Sequence, residues 1–277
     1  MLTITDHRRD SAGMTYVYPV VSRRAGGVSV GVNLNVNNAC NWACVYCQVE
    51  GLTRGGPLPI DLDRLASELD TFLDAVTTGD FMQREVPADA RCLMDVAFSG
   101  NGEPTSAPEF PEAVAIVRAV LLKRDLLKTV KIRLITNGSL LHRPAVQRGI
   151  WVIGEVGGEV WFKIDRVGLA ATRRVNEIAV NPEVVQRNLQ TCADMAPTWV
   201  QTCWFSMDGQ SPDAAEVADY CALLARIRGL VGVHLYGLAR PSMQPAAPRL
   251  GRLSEAELAS FAATIQEKTG LQVMLNP

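Results

Sequence analysis

A chain of 277 residues, 48% of them apolar and with a formal charge of −2, has the material for a large core and no excess of either charge. Its length suits one α/β barrel domain; the near-neutral balance gives RNA binding no support from charge without excluding it, and no apolar run approaches the roughly 20 residues that span a bilayer. An N-terminus carrying Asp6, Arg8, Arg9 and Asp10 has no apolar stretch followed by a cleavage site, which predicts a cytoplasmic protein without membrane contact.

In chain order, the first stretch, residues 1–27, reads as an N-terminal extension of loops over a barrel mouth or end. From Val28 onward, β-rich runs alternate with helical patterns, the signature of βα units around a parallel sheet. The strands expected are Val28–Val36, Leu93–Ser99, Val130–Ile135, Glu159–Ile164, Trp199–Trp204 and Val231–Tyr236, with Gln272–Leu275 as a late edge strand. Their apolar character fits strands covered on both faces. Between the first two, Leu62, Leu65, Leu69, Phe72, Leu73 and Val76 recur at helical steps after Asp61, an N-cap. Further helices are expected over Pro111–Lys123, Leu140–Gly149, Pro182–Asp194, Pro212–Arg228 and Ser254–Thr269, the last opened by a Ser254/Glu257 capping box. The fold expected is therefore α/β, a partial (β/α)6-type TIM barrel with parallel strands over residues 28–240. Its chemistry belongs at the C-terminal strand ends. Residues 241–277 add a C-terminal loop, a helix and the edge strand, and Ala239–Arg252 reads as another loop over the barrel.

Seven cysteines in a chain read as cytoplasmic argue against a disulfide scaffold, since the odd count leaves one unpaired. Cys92, Cys192, Cys203 and Cys221 are scattered and read as small buried hydrophobes. The other three form a C-x3-C-x2-C run just after the first strand, Cys40-Asn41-Trp42-Ala43-Cys44-Val45-Tyr46-Cys47. Three thiolates this close can converge on one metal centre, and soft sulfur selects iron–sulfur clusters, zinc or copper. A structural zinc site is normally closed by a fourth nearby Cys or His. The nearest downstream His is His142, so local closure fails. A cubane with three protein ligands instead leaves one iron open.

This run resembles the defining motif of the radical S-adenosylmethionine (SAM) superfamily, in which an aromatic residue, here Tyr46, precedes the last cysteine. The resemblance implies a [4Fe–4S] cluster on Cys40, Cys44 and Cys47. It also implies SAM bound at the open iron and split reductively to methionine and a 5′-deoxyadenosyl radical. After the second strand, Gly100, Asn101, Gly102 and Glu103 form a sharp turn with an acidic side chain suited to a cationic group. Read alone this is a loop with a glutamate; beside the cysteines it resembles the superfamily's GGE-type motif, which holds the SAM amino group. After the third strand, Thr136 and Asn137 stand where the family places polar residues near the SAM ribose or carboxylate, or form a plain turn before a helix.

On the fourth strand, period two puts Lys163 and Asp165 on one side, either facing the barrel interior or paired at the rim. Arg240 is placed to meet an anionic substrate or the SAM carboxylate, or to order its loop. The order of these pieces is similar to the branch containing wyosine-type tRNA-modifying enzymes and their uncharacterised relatives. The chain lacks that branch's flavodoxin-like domain and any Lys/Arg-rich arm for tRNA.

The function these readings imply is hydrogen abstraction from a small-molecule or nucleotide-like substrate, with an electron donor such as flavodoxin or ferredoxin. Two alternatives stand beside it: an activase that installs a radical on a partner protein, and a non-catalytic iron–sulfur sensor. The sensor has no use for the glycine–glutamate loop or the barrel-length βα array.

Overall fold

The structure is a computed structural model, which describes Leu2 and residues 12–22 and 25–276. Asp6, Arg8, Arg9 and Asp10 lie outside the described residues. The main sheet holds eight strands in a single row: β1 (Val17–Ser22), β2 (Gly27–Val32), β3 (Leu93–Phe98), β4 (Lys131–Thr136), β5 (Glu159–Lys163), β6 (Thr198–Cys203), β7 (Leu230–Tyr236) and β8 (Gln272–Asn276). Strands β2 to β8 run parallel, and β1 pairs antiparallel with β2 in the register Val17↔Val32 to Ser22↔Gly27. Strand order follows chain order without a reversal, so the βα units wind one way into the curled sheet of a partial TIM-type barrel.

Among the described residues, seven longer helices accompany these strands: α1 (Leu62–Thr77), α2 (Phe110–Lys123), α3 (Pro144–Glu155), α4 (Leu169–Asn176), α5 (Pro182–Met195), α6 (Ala214–Leu224) and α7 (Glu255–Thr269). Asp61 caps α1 by accepting the Arg64 N–H, and Ser254 and Glu257 close the expected capping box on α7. The stripe Leu65, Leu69, Phe72, Leu73 and Val76 of α1 is buried against the sheet, each side chain worth about 1.5–3 kcal/mol of apolar transfer. Among the described residues no helix is long and apolar enough to cross a membrane.

Several elements depart from the sequence reading for local reasons. The N-terminal segment is not loop throughout, because Val17–Ser22 is the antiparallel edge strand β1. Strand β2 stops at Val32 rather than Val36: the Asn33 side-chain carbonyl accepts the N–H groups of Asn35 and Asn101, drawing the backbone out of the ladder. Helix α3 begins at Pro144, a first-turn proline, and runs to Glu155 instead of covering 140–149. Helix α6 spans only Ala214–Leu224, opened by an Asp213/Glu216 capping box, and Ala239–Arg252 contains a short strand, Leu250–Gly251, paired with Ser206–Met207.

The two faces of the sheet also differ, against the expectation of apolar cover on both. Outward residues such as Val30, Val96, Phe98, Ile132, Leu134, Val160, Phe162, Val200, Val233 and Leu235 join the helices in one core. The alternating inward residues are largely polar: Ser29, Asp95, Arg133, Lys163, Gln201 and Tyr236 line a cavity.

Candidate active site

The cavity measures about 330 Å³ and opens at the C-terminal ends of the parallel strands. Cys40, Cys44 and Cys47 line its outer end together with Trp42, Tyr46 and Gln48; Gly100, Asn101, Gly102, Glu103, Thr136, Asn137, Lys163 and Arg240 also border it. Of the residues singled out in the sequence, Asp165 alone is absent from the lining.

The cysteine run is a loop held from two sides. On one side, the N–H groups of Ala43 and Val45 donate to the carbonyls of Asn176 (3.3 Å) and Val175 (2.9 Å), satisfying two of the carbonyls that end α4. On the other, the Ser242 hydroxyl donates to the Val45 carbonyl (2.7 Å), and both the Met243 N–H (2.9 Å) and the Gln244 amide (3.2 Å) donate to that of Cys47. Within the loop the Cys47 N–H closes a turn on the Cys44 carbonyl (2.9 Å). Burial pushes the Cys40 thiol up to about 12, with the Trp42 N–H working against it and the charges of Glu103, Cys44 and Cys47 adding to it. Burial likewise raises Cys44, where the Lys163 charge and the Asn176 amide act in the opposite direction. The three sulfurs are close enough to feel one another's charge, and a bound cation reverses this balance by favouring thiolate.

The glycine–glutamate turn packs against protein rather than open space. Gly100 has φ +139°, and a Cβ there would strike the Asn33 side chain; one on Gly102 would strike the Ala39 carbonyl, beside Cys40. Glu103 is 3% exposed, and its carboxyl gathers four donors: the Thr105 N–H (3.2 Å) and hydroxyl (2.6 Å), the Thr136 hydroxyl (2.6 Å) and the Asn137 N–H (2.6 Å). Burial raises its carboxyl above the ordinary range, opposed by those hydrogen bonds. Glu103 thus ties the end of β3 to the end of β4. Asn137 continues the chain of contacts, donating to Asn41 Oδ1 (2.9 Å), while Asn41 donates to the Ser139 hydroxyl (2.8 Å).

Lys163 and Asp165 form an ion pair at 3.7 Å, and only Lys163 reaches the cavity. Asp165 lies behind the cysteine loop, accepting from the Tyr46 hydroxyl (2.6 Å), the Asn176 amide (2.8 Å) and the Cys203 N–H (3.0 Å). Lys163 stands 4.3 Å from the Tyr46 ring centroid. Burial works against its charge, but Asp165 and Cys44 outweigh burial and hold it well above the ordinary lysine range. The Arg240 carbonyl accepts from Gln48 (3.4 Å), which joins the C-terminal loop to the cysteine loop.

Sequence reading missed the asparagines. Asn33, Asn35, Asn38 and Asn41 sit among the strand ends: Asn101 donates to Asn38 Oδ1 (2.7 Å) and Asn35 donates to the Ala39 carbonyl (3.0 Å). Their density between positions 33 and 41 was the available signal, since asparagine side chains compete with the backbone for hydrogen bonds. Of the remaining cysteines, Cys192, Cys203 and Cys221 are buried as expected, but Cys92 is exposed, just before β3. In the cavity lining, Trp42 Nε1 and Gln201 Oε1 are buried with no hydrogen-bond partner among the described residues. Among the described residues no three Cys, His, Asp or Glu side chains form a preformed metal-ligand group. The donor chemistry on the cavity wall, three soft sulfurs on one loop beside an unpaired buried donor, fits an iron–sulfur cluster with a ligand next to it.

No family model matches the chain. Two Helicobacter pylori proteins, each called UPF0026 protein, are 29% identical over 160 residues (strain 26695) and 30% identical over 165 residues (strain J99). Each match covers 57% of this chain, which spans about 45% of the length of these relatives. Among solved structures, a radical SAM methyltransferase from Sphaerobacter thermophilus superposes with a TM-score of 0.58 at 18% identity, covering 90% of this chain and 66% of that one. An archaeal TYW1 superposes with a TM-score of 0.54 at 13% identity, covering 96% of this chain and 78% of that one. The curled, mostly parallel sheet therefore has the fold seen in that radical SAM methyltransferase and in archaeal TYW1.

Proposed function

We propose that the protein is a radical SAM enzyme, with Cys40, Cys44 and Cys47 holding a [4Fe–4S] cluster and SAM occupying the adjoining cavity. The observation that carries this reading is the convergence on one cavity of the three thiols with Gly100, Asn101, Gly102, Glu103, Thr136, Asn137, Lys163 and Arg240. When bound, the cluster supplies the electron for reductive cleavage of SAM to methionine and a 5′-deoxyadenosyl radical. The residues of the chain bind and orient. Glu103 lines the cavity with its carboxyl held by four donors, and its negative charge would favour the SAM ammonium there. Lys163 and Arg240 offer positive charge to a carboxylate, and Trp42 Nε1 offers an N–H donor. Asp165 acts at one remove, orienting Tyr46 against the cavity.

Deeper in the cavity, Asp95 is paired with Arg133, and Ser29, Gln201 and Tyr236 present neutral polar groups. This lining supports a small, uncharged, polar substrate, nucleotide-like bases included, rather than a segment of a partner protein. A flavodoxin or ferredoxin is the class of electron donor such an enzyme needs, and seven free thiols with an oxygen-labile cluster suit the reducing cytoplasm.

The test is anaerobic reconstitution with iron and sulfide, followed by SAM and dithionite. About four irons and four sulfides per chain, a reduced-cluster EPR signal and release of 5′-deoxyadenosine are expected. Stoichiometric zinc without iron–sulfur absorption sinks the reading, and a full cluster that never yields deoxyadenosine leaves a sensor as the better account.

A further inference from the structure

Behind the cysteine loop lies an amide that the proposed binding and cleavage of SAM leave without a role. Helix α4 ends at Asn176, where Glu177 adopts the left-handed conformation (φ 53°) and stops it. Because the carbonyls of Val175 and Asn176 take the N–H groups of Val45 and Ala43, the position of Asn176 relative to Cys44 is set by backbone hydrogen bonds. The Asn176 side chain is 1% exposed, and its Nδ2 lies 2.8 Å from Asp165 Oδ2 and 3.2 Å from Cys44 Sγ.

The orientation of this amide follows from its neighbours. Asp165 Oδ2 already accepts the Tyr46 hydroxyl, and a flipped amide would set Asn176 Oδ1 against that carboxyl oxygen. With Nδ2 facing Asp165, the two N–H bonds serve the two acceptors within reach, one to the carboxyl oxygen and one to the sulfur. Oδ1 is left buried with no hydrogen-bond partner, which marks a side chain placed for what its nitrogen donates.

We infer that Asn176 is a positioning residue that donates a hydrogen bond to the Cys44 sulfur and thereby raises the reduction potential of the cluster held there. The inference rests on the proposed cluster. Reduction adds negative charge that spreads onto the ligating sulfurs, and an N–H aimed at one of them stabilises the reduced form more than the oxidised form. Asp165 fixes the amide, Tyr46 fixes Asp165, and the end of α4 fixes the distance, so the donor is preorganised in a site shielded from water.

EPR-monitored redox titration of reconstituted wild-type protein and Asn176→Leu, which keeps similar volume and removes the donor, tests this. Wild-type protein that takes up no cluster overturns the proposed function, and this inference with it. Given a wild-type cluster, the Leu variant is expected to hold the same iron and sulfide with a more negative midpoint, so that a smaller fraction is reduced at any fixed potential. A full cluster with an unchanged midpoint overturns the inference while leaving the proposed function standing. Where Asn176→Leu does not fold, Asn176→Ala is read in the same way. Loss of the cluster from both variants makes Asn176 a merely structural residue, which also overturns it.

Discussion

On strand β4, Ile132 and Leu134 turn outward into the helix-covered core and are fully buried, whereas Arg133 between them turns inward to Asp95 and Glu159. One strand thus carries two environments one residue apart. Outside, burial of apolar area is non-directional, and neighbouring aliphatic residues exchange with modest cost. Inside, each polar group depends on a specific partner: Arg133 Nε lies 3.1 Å from Glu159 Oε2, its guanidinium stacks 4.8 Å from the Trp161 ring, and Ser29 donates to Asp95. The outer face contributes stability through apolar burial; the inner face depends on paired charges and lines the cavity.

The sharpest way to separate the two roles is at the cysteine loop, which belongs to the site and not to the main core. Replacing Cys40, Cys44 or Cys47 singly with Ala is expected to abolish iron–sulfur absorbance and deoxyadenosine formation, with unfolding free energy within about 1 kcal/mol of wild type. If Cys192, Cys203 or Cys221 proves equally necessary for the cluster, the three-cysteine assignment is wrong.

Neighbouring substitutions on β4 test the contrast directly. Arg133→Met strands Asp95 without its cation and is expected to cost about 3–5 kcal/mol. Leu134→Ala is expected to cost about 2–5 kcal/mol through the cavity it leaves. Denaturant titration gives both values, and the Met variant alone should respond to a second change, Asp95→Leu, by recovering stability. No recovery would mean that the inner face is not governed by charge pairing.

Glu159→Gln is a smaller perturbation with a pH signature. Burial pushes the Glu159 carboxyl up, but the charged hydrogen bonds from Lys131 and Arg133 outweigh burial and hold it below its ordinary value of 4.5. A carboxyl lowered on folding adds stability that is present above its unfolded value and lost as pH falls through the folded one. The variant should therefore be less stable by about 1.5–3 kcal/mol at neutral pH, with the gap closing only below pH 4.5. A gap that stays constant into acid removes Glu159 from the charge network.

The smallest expected effect has the opposite sign. Gln201 is 5% exposed, with its Oε1 unpaired in the cavity wall, so Gln201→Leu should gain about 1 kcal/mol while impairing substrate use. A loss of stability would show that Gln201 serves the fold rather than the chamber.

Much of this architecture was legible in the sequence because it is local. Helical steps from Leu62 to Val76, the Ser254/Glu257 capping box and apolar runs in each strand reflect periodicity and capping, which act within a few residues. The C-x3-C-x2-C spacing marked the cysteine loop for the same reason. What the sequence could not show is which distant groups meet. That Asp165 turns behind Tyr46 while Lys163 reaches the cavity depends on where β5 ends and on packing against Cys203 and Asn176. The inward face of the strands looked like ordinary interruption of apolar runs until curling of the sheet brought Asp95, Arg133 and Gln201 around one space. Asparagines 33 to 41 carried no periodic pattern either, since their partners stand as far away in sequence as Asn101 and Asn137. Sequence alone determined most of the elements and the position of the cysteine loop, through short-range sterics and hydrogen bonding. Tertiary structure alone decided the cavity and its second layer of contacts, because buried polar groups are satisfied by whatever partner the closed sheet places within hydrogen-bond reach.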